Sequence, residues 1–451
     1  MLIRFIFENF GSFKDRSEFS MVASKVARHP AHVMEFAKKR ILRSSFVFGA
    51  NAGGKTSFFR ALEFAVDIVR KGIRHVDCSR RNFRLCNKPS DNGMFQFDLI
   101  ADGHVYSYGF VVSYSTVSII AEWLYLCDDS KNNICVFNRE NVKNKISVQT
   151  GIAEPIIDIN WWDFYKRDFV GGDNSQTLVL SDLAQRSSEN NGIVGHVLSV
   201  KKWFGRFTLI SPEQIYNGGL YLRGDEVAKA KLESYLRHFD TGITKVVLKD
   251  VDYDDVVKKL PSYIRDDIQH SFKKMPDGLR VRITASVSND KAAYFFSQGK
   301  GKVHIRAQQL MFEHGFKTSP FERKEESDGT RRLLDILPLL ITLKSGAIVV
   351  IDEIDRSLHT KATTEFIKQF LSQDNRLGSQ LIATTHDGEV LDLDLLRQDE
   401  IWFVERGDDY VSRLFPLTKF KVRFDASVKK DYLLGRYGAL PIFGRLGELE
   451  P

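Results

Sequence analysis

The sequence predicts an α/β fold built on a parallel sheet, with an antiparallel β layer near the N-terminus and an inserted mixed α/β region in the middle. Three observations carry this. Residues 44–48, Ser-Ser-Phe-Val-Phe, form an apolar strand pattern that runs into a glycine-rich turn and then a helical pattern. Residues 347–351 and 380–384 repeat the apolar strand pattern and alternate with helices, the order expected of a parallel sheet covered on both faces. Residues 95–126 instead alternate β-branched and aromatic residues around an Asp102-Gly103 turn, which predicts antiparallel hairpins.

Taken in chain order, residues 2–10 and 16–22 read as short strands, because apolar and polar positions alternate from Leu2 onward. The helical pattern after the glycine-rich turn extends from Lys55 to about Lys71. The antiparallel layer closes a first lobe over residues 1–150. Residues 151–319 carry Trp161-Trp162, charged helical stretches and a strand-like segment at 279–284, an inserted region without an assigned fold. A second lobe, 320–425, runs helix, strand, helix, strand, with a further strand at 400–404, and residues 426–451 form a tail. No internal repeat or low-complexity tract interrupts the chain.

With 451 residues the chain can bury a substantial core, and 43% hydrophobic with 27% charged residues is ordinary for a globular protein, although 34 phenylalanines is a high count. No uncharged apolar stretch approaches the roughly 20 residues that span a bilayer, and the N-terminus meets Arg4 too early for a signal sequence, so a cytoplasmic protein without a membrane partner is expected. A net charge of +7, with scattered basic pairs such as Arg80-Arg81 and Lys273-Lys274, leaves room for nucleic acid as a partner, although each pair alone describes a solvated face. Cys78, Cys86, Cys127 and Cys135 lack zinc-knuckle spacing and read as free thiols.

The chemistry concentrates in four segments. Residues 49–56, Gly-Ala-Asn-Ala-Gly-Gly-Lys-Thr, fit G-x-x-x-x-G-K-T and lie between a strand and a helix. There Gly49, Asn51, Gly53, Gly54, Lys55, Thr56 and Ser57 form a candidate nucleotide-binding set. Glycines let backbone N–H groups turn inward around a phosphate, Lys55 can meet the β- and γ-phosphates, and Thr56 can ligate Mg²⁺. Asp352 and Glu353 follow the apolar strand at 347–351, where a parallel strand delivers side chains to the ligand crevice. Asp352 suits a metal and its waters, and Glu353 suits a general base; a helix N-cap is the competing account of two such acids. His386 follows the strand at 380–384 and can donate to a γ-phosphate. Finally, Ser327 and Gly329 open a helix in Ser-Asp-Gly-Thr-Arg-Arg, where an N-cap and a phosphate site use the same free N–H groups.

The order phosphate loop, Ser-Asp-Gly-Thr, Asp-Glu, Thr-His resembles that of an ABC ATPase head. The resemblance implies ATP and Mg²⁺ as cofactors, ATP hydrolysis with Glu353 and His386 as catalytic residues, and Ser327 with Gly329 as a signature completing the nucleotide site of a second copy. Asp355 falls where such proteins carry the D-loop. Closer still, residues 1–5, Glu8 to Asp15, 327–333, 351–359 and 431–441 resemble the AAA15-type ATPases of the OLD/RloA/AbiLi group. That group occurs in bacterial antiphage systems such as PARIS, Septu and RloA-type pairs. This resemblance implies a head-to-head dimer or higher oligomer that senses infection and controls a separate effector, a Toprim, HNH or RloB-like nuclease or toxin. The alternative is a DNA-end or DNA-repair ATPase that contacts nucleic acid directly.

Two features depart from the ABC pattern. The Q-loop glutamine has no clear place, Gln96 being a candidate, and no sustained heptads support a long coiled-coil arm. Too few residues follow His386 to hold a Toprim domain. Arg265 to His270 has the R-x-x-x-x-H form of a HEPN ribonuclease site, which a solvated helix face also explains.

Overall fold

In a computed structural model of the chain, the described residues are 1–36, 39–127, 133–142, 145–152, 159–186, 192–212, 225–260, 262, 265–266, 270, 283–286, 293–298, 305–315, 320–343, 345–373, 378–420 and 428–439. Parts of the Arg265 to His270 segment, of the strand pattern at 279–284 and of the C-terminal match at 431–441 lie outside them. The chain divides into two compact units, Met1–Pro212 with Lys344–Asp355 and Phe370–Pro451, and Glu213–Leu343 with Arg356–Gln369.

The first unit holds two large sheets. One has six strands in the order Phe207–Ile210, Ile348–Ile351, Gln380–Thr385, Ser44–Phe48, Ile401–Arg406, Ser412–Pro416. Its first five strands are parallel and only the last is antiparallel. Three of the four inner strands, Ile348–Ile351, Gln380–Thr385 and Ser44–Phe48, are buried at every position, which explains their apolar runs without alternation.

The second sheet is antiparallel, in the order Lys145–Gln149, Ile134–Val142, Ser118–Cys127, His104–Ser113, Asn92–Ala101, Leu2–Glu8, Ser17–Ser20. The hairpin at Asp102-Gly103 forms as expected, with both residues at positive φ. The first strand stops two residues short of the expected Phe10. Asn9 adopts φ 54°, and its side-chain amide donates to the Ser90 and Asn92 carbonyls, so the chain turns out of the sheet there.

The helix Lys55–Lys71 packs its apolar stripe, Phe58, Phe59, Leu62, Ala65, Val66 and Val69, into the core of this unit. It ends at Gly72, whose φ of 88° suits glycine and whose N–H bonds the Ile68 carbonyl. The abundance of phenylalanine has its structural use here. Phe58 meets Phe5, Phe7 and Phe19 with ring centroids 6.4, 6.2 and 5.0 Å away, Phe5 stacks on Phe7, and Phe64 meets Phe10 and Phe95. From the parallel sheet, Trp402 meets Phe19 at 5.2 Å. Aromatic contacts thus tie the helix that follows the glycine loop to the antiparallel layer.

The second unit is built on an antiparallel sheet in the order Lys245–Val251, Ile305–Glu313, Ala293–Gln298, Ile283–Ser286, with Phe321–Glu322 also paired to Ile305–Glu313. Helices Glu226–His238, Tyr253–Lys259 and Asp328–Ile336 belong to it. Among the described residues, no helix is long and apolar enough to cross a membrane, and the four cysteines are free.

Candidate functional site

The strand Ser44–Phe48 ends in the glycine loop, and its neighbours on one side, Gln380–Thr385 and then Ile348–Ile351, end at the same edge of the parallel sheet. Residues far apart in sequence therefore meet at one place. A cavity of about 220 Å³ there is lined by Ser12, Ala50, Asn51, Ala52, Gly54, Lys55, Thr56, Ser57, Glu353 and His386.

Close packing dictates the glycines of the loop. A Cβ on Gly49 would stand 2.3 Å from the Val404 carbonyl oxygen. Gly54, the residue before the helix, has φ 124°, and a Cβ on it would stand 2.5 Å from Ser412 Oγ. Side chains at either position would displace the loop.

Lys55 is buried, and its ammonium donates to the Gly49 and Ala50 carbonyls at 2.5 and 2.9 Å. Burial lowers its pKa to about 8, against the opposing attraction of Asp355, Asp352 and Glu353. The lysine is therefore held in the loop beside a cluster of carboxylates. An incoming anion that replaced the two carbonyls would favour the ammonium form and raise that pKa.

Asp352 is fully buried at the end of its strand. Burial raises its pKa, while hydrogen bonds from Thr384 and Thr56 act the other way. The Thr384 hydroxyl lies 2.5 Å from Asp352 Oδ1 and accepts the Glu353 N–H at 2.8 Å. Glu353 takes the left-handed conformation, φ 50°, uncommon for a residue with a side chain. Thr384 binds that strained backbone again through its carbonyl, which accepts the Ile354 N–H at 3.0 Å. The outcome is that Glu353 faces the cavity with His386, whose Nε2 lies 3.5 Å from Glu353 Oε1. The Asp355 carboxylate in turn accepts the His386 backbone N–H at 3.2 Å.

The Thr56 hydroxyl and the Asp352 carboxylate form a hard oxygen pair, the donor type that suits Mg²⁺. No cluster of three or more His, Cys, Asp or Glu among the described residues could hold a metal ion by itself. A cation at this pair would thus draw its remaining ligands from water and phosphate, as Mg²⁺ commonly does.

Ser327 and Gly329 stand in the second unit. Ser327 is exposed and caps the helix Asp328–Ile336, its hydroxyl accepting the Thr330 N–H at 3.1 Å, while Asp328 pairs with Arg331. Gly329 lies against the Ser357 carbonyl, 3.0 Å from where a Cβ would sit. The N-cap geometry anticipated for this segment is present. Gln96 lies within the strand Asn92–Ala101, its amide held by Asp98 and Ser107, and does not line the cavity.

Three side chains gain importance only in three dimensions. Thr384 locks both acids, while Ser12 and Ser412 meet the glycine loop. Thr384 belongs to the Thr384-Thr385-His386 segment and Ser12 to the segment from Glu8 to Asp15, so each lay within a recognised segment without a role assigned to it. Ser412 had no signal in the sequence at all, being a serine in a short edge strand.

Residues 186–392, just under half of the chain, match the family model described as "AAA domain, putative AbiEii toxin, Type IV TA system". The match includes Ser327, Asp352, Glu353 and His386 and leaves the glycine loop outside. No curated protein matches the sequence. Among solved structures, the SMC head bound to the C-winged helix domain of ScpA aligns with TM-score 0.40 and 10% identity over 93% of this chain and 99% of that one. The SMC head domain from Thermotoga maritima aligns with TM-score 0.35 and 12% identity over 92% and 98%. Superpositions this loose carry no argument about function. The strand order supplies the fold: an α/β unit with a parallel sheet, a glycine loop leading into a helix, and an antiparallel β layer.

Proposed function

We propose that this chain binds ATP with Mg²⁺ and hydrolyses it, and that two copies pair head to head to complete each nucleotide site. One observation carries the proposal: Lys55, Thr56, Glu353 and His386, drawn from three strand ends, line one cavity, and the buried Asp352 is hydrogen-bonded to Thr56 beside it.

The loop N–H groups and the start of the helix Lys55–Lys71 receive the phosphates, with Lys55 against the β- and γ-phosphates. Thr56 and Asp352 would hold the cation, which would supply charge neutralisation for the transferred group. Glu353 accepts a proton from the attacking water, and His386 donates to the γ-phosphate. Ser327 and Gly329, on an exposed helix N-terminus, reach the γ-phosphate bound by the partner copy, and Asp355 lies at the head-to-head contact.

We further propose that the ATPase is a sensing or scaffolding subunit that controls a separate nuclease or toxin in antiphage defence. The name of the matching family model, which points to toxin-type proteins, supports a setting of that kind. Such a protein works in the cytoplasm.

Nucleotide titration in the presence of Mg²⁺ tests the first part. ATP binding that survives Lys55→Ala unchanged would overturn it. Co-purification with the product of the adjacent gene tests the second, and stimulation of hydrolysis by DNA, with binding that falls steeply as salt rises, would replace it by a DNA-acting role.

A further inference from the structure

Outside the residues assigned above, Ser412 makes contacts that a surface edge strand does not require. It is 2% exposed. Its Oγ lies 2.7 Å from the Gly53 carbonyl oxygen and 2.7 Å from Ser12 Oγ, and its backbone N–H donates to the Ser12 carbonyl at 2.8 Å. A hydroxyl carries one hydrogen, and a carbonyl can only accept. Ser412 Oγ is placed to donate to both oxygens, so its one hydrogen is shared between the Gly53 carbonyl and Ser12 Oγ. The Ser12 carbonyl anchors the Ser412 backbone, and the Ser412 hydroxyl reaches from there to the Gly53 carbonyl.

Such a chain sets the plane of one peptide. In a trans peptide the carbonyl and the following N–H point opposite ways. Drawing the Gly53 carbonyl toward Ser412 turns the Gly54 N–H away from Ser412. Gly54 is itself confined, because its φ of 124° and the 2.5 Å approach of Ser412 Oγ to its would-be Cβ allow only glycine. Ser12 and Gly54 both line the cavity, so the chain runs along the wall where a phosphate is received.

We infer that Ser412 is a positioning residue for the phosphate-binding loop, aiming the Gly54 N–H at the bound polyphosphate, with Ser12 holding Ser412 in place. The inference rests on the reading of this cavity as an ATP site. It assigns Ser412 a role in nucleotide affinity and none in bond cleavage, because the hydrogen bonds of Ser412 go to Gly53 and Ser12 and none goes to Asp352, Glu353 or His386.

Titration calorimetry of the full chain with MgATP and MgADP decides the matter, since it reports stoichiometry separately from Kd and so separates misfolding from weakened binding. Ser412→Ala should weaken both nucleotides by about tenfold, the effect of one lost hydrogen bond to a charged-ligand site. Turnover at saturating ATP should stay within about twofold of the wild type, so the change falls on KM and not on kcat. Ser412→Thr keeps the hydroxyl in a residue that strands favour, and should restore affinity to within about twofold. Ser12→Ala should cost less than Ser412→Ala, and the double variant no more than Ser412→Ala alone, because Ser12 acts through Ser412. An alanine variant at position 412 with wild-type affinity, or one whose loss appears in kcat, overturns the inference. Failure of the wild-type chain to bind ATP at all would instead remove the ATP-site reading on which it stands.

Discussion

Thr384 Oγ1 lies 2.5 Å from Asp352 Oδ1 and takes the Glu353 backbone N–H at 2.8 Å, so one hydroxyl fixes both acids at the end of the strand Ile348–Ile351. With one hydrogen, the hydroxyl donates to the carboxylate and accepts from the amide, and both of its roles are used. A backbone at φ 50° costs on the order of 1 kcal/mol or more for a residue such as glutamate, and Thr384 helps to hold it.

Thr384→Val keeps the shape and removes both hydrogen bonds. Hydrolysis should fall about 10- to 100-fold, the usual cost of losing a partner that orients a metal ligand. ATP affinity, set mainly by the glycine loop, should change by less than about threefold. Thr384→Ser should retain most activity. Steady-state kinetics beside direct nucleotide binding measures both, and a valine variant with full turnover would show that Glu353 keeps its place without Thr384.

The acidity of Lys55 predicts a pH dependence of binding. Its pKa in the free protein is lowered to about 8, mainly by burial. A bound polyphosphate favours the ammonium and raises that pKa, so binding above pH 8 takes up a proton. Affinity should therefore be level below about pH 7 and decline as pH rises through 8, approaching tenfold per pH unit beyond it. Lys55→Arg, which cannot lose its charge in this range, should bind ATP more weakly but without that decline. Kd measured from pH 6.5 to 9.5 provides the check; a flat profile in the wild type would mean that Lys55 remains charged when free.

Much of this site was legible in the sequence because its parts are local. The loop from Gly49 to Thr56 sits between a strand and a helix that form at Ser44–Phe48 and Lys55–Lys71 as their patterns indicate. Asp352 and His386 follow apolar runs long enough to be central strands. What could not be read is the pairing order that sets Gln380–Thr385 between the other two, since parallel neighbours carry no sequence signal of adjacency. For the same reason Ser412, some 360 residues beyond Gly53, could not be foreseen as its hydrogen-bond donor. Residues 151–319 gave charged helical stretches, one strand-like segment at 279–284 and the R-x-x-x-x-H form at Arg265 to His270, and the antiparallel sheet of the second unit emerged only from long-range pairing.

Glu353→Gln preserves volume and hydrogen bonding while removing the base. ATP binding should persist within about threefold, and hydrolysis should fall by at least about 100-fold, the lower end of the range for general-base catalysis. The same variant should accumulate a paired, ATP-bound species, because the step that releases the partner is lost. His386→Ala should lower turnover less severely, since the histidine lies 3.5 Å from Glu353 but supplies no base of its own in this scheme. Single-turnover hydrolysis distinguishes the two, and normal hydrolysis in the glutamine variant would exclude Glu353 as the base.

Ser327 offers a test of the composite site that does not touch the loop. It is exposed and caps its helix, so replacing it disturbs a helix end and a surface, not a core. Ser327→Arg sets a large cation where a second copy would have to approach. It also removes the cap, which by itself costs about 1 kcal/mol. Ser327→Asn separates the two effects, because asparagine caps as well as serine and carries no charge. On the Glu353→Gln background, the arginine variant should bind ATP as a monomer but fail to pair, by analytical ultracentrifugation with and without ATP. The asparagine variant should retain the fold and show pairing weakened only as far as the hydroxyl itself contacts the partner's nucleotide. Wild-type pairing and hydrolysis in Ser327→Arg would place the second nucleotide contact elsewhere and leave Ser327 as a helix cap alone.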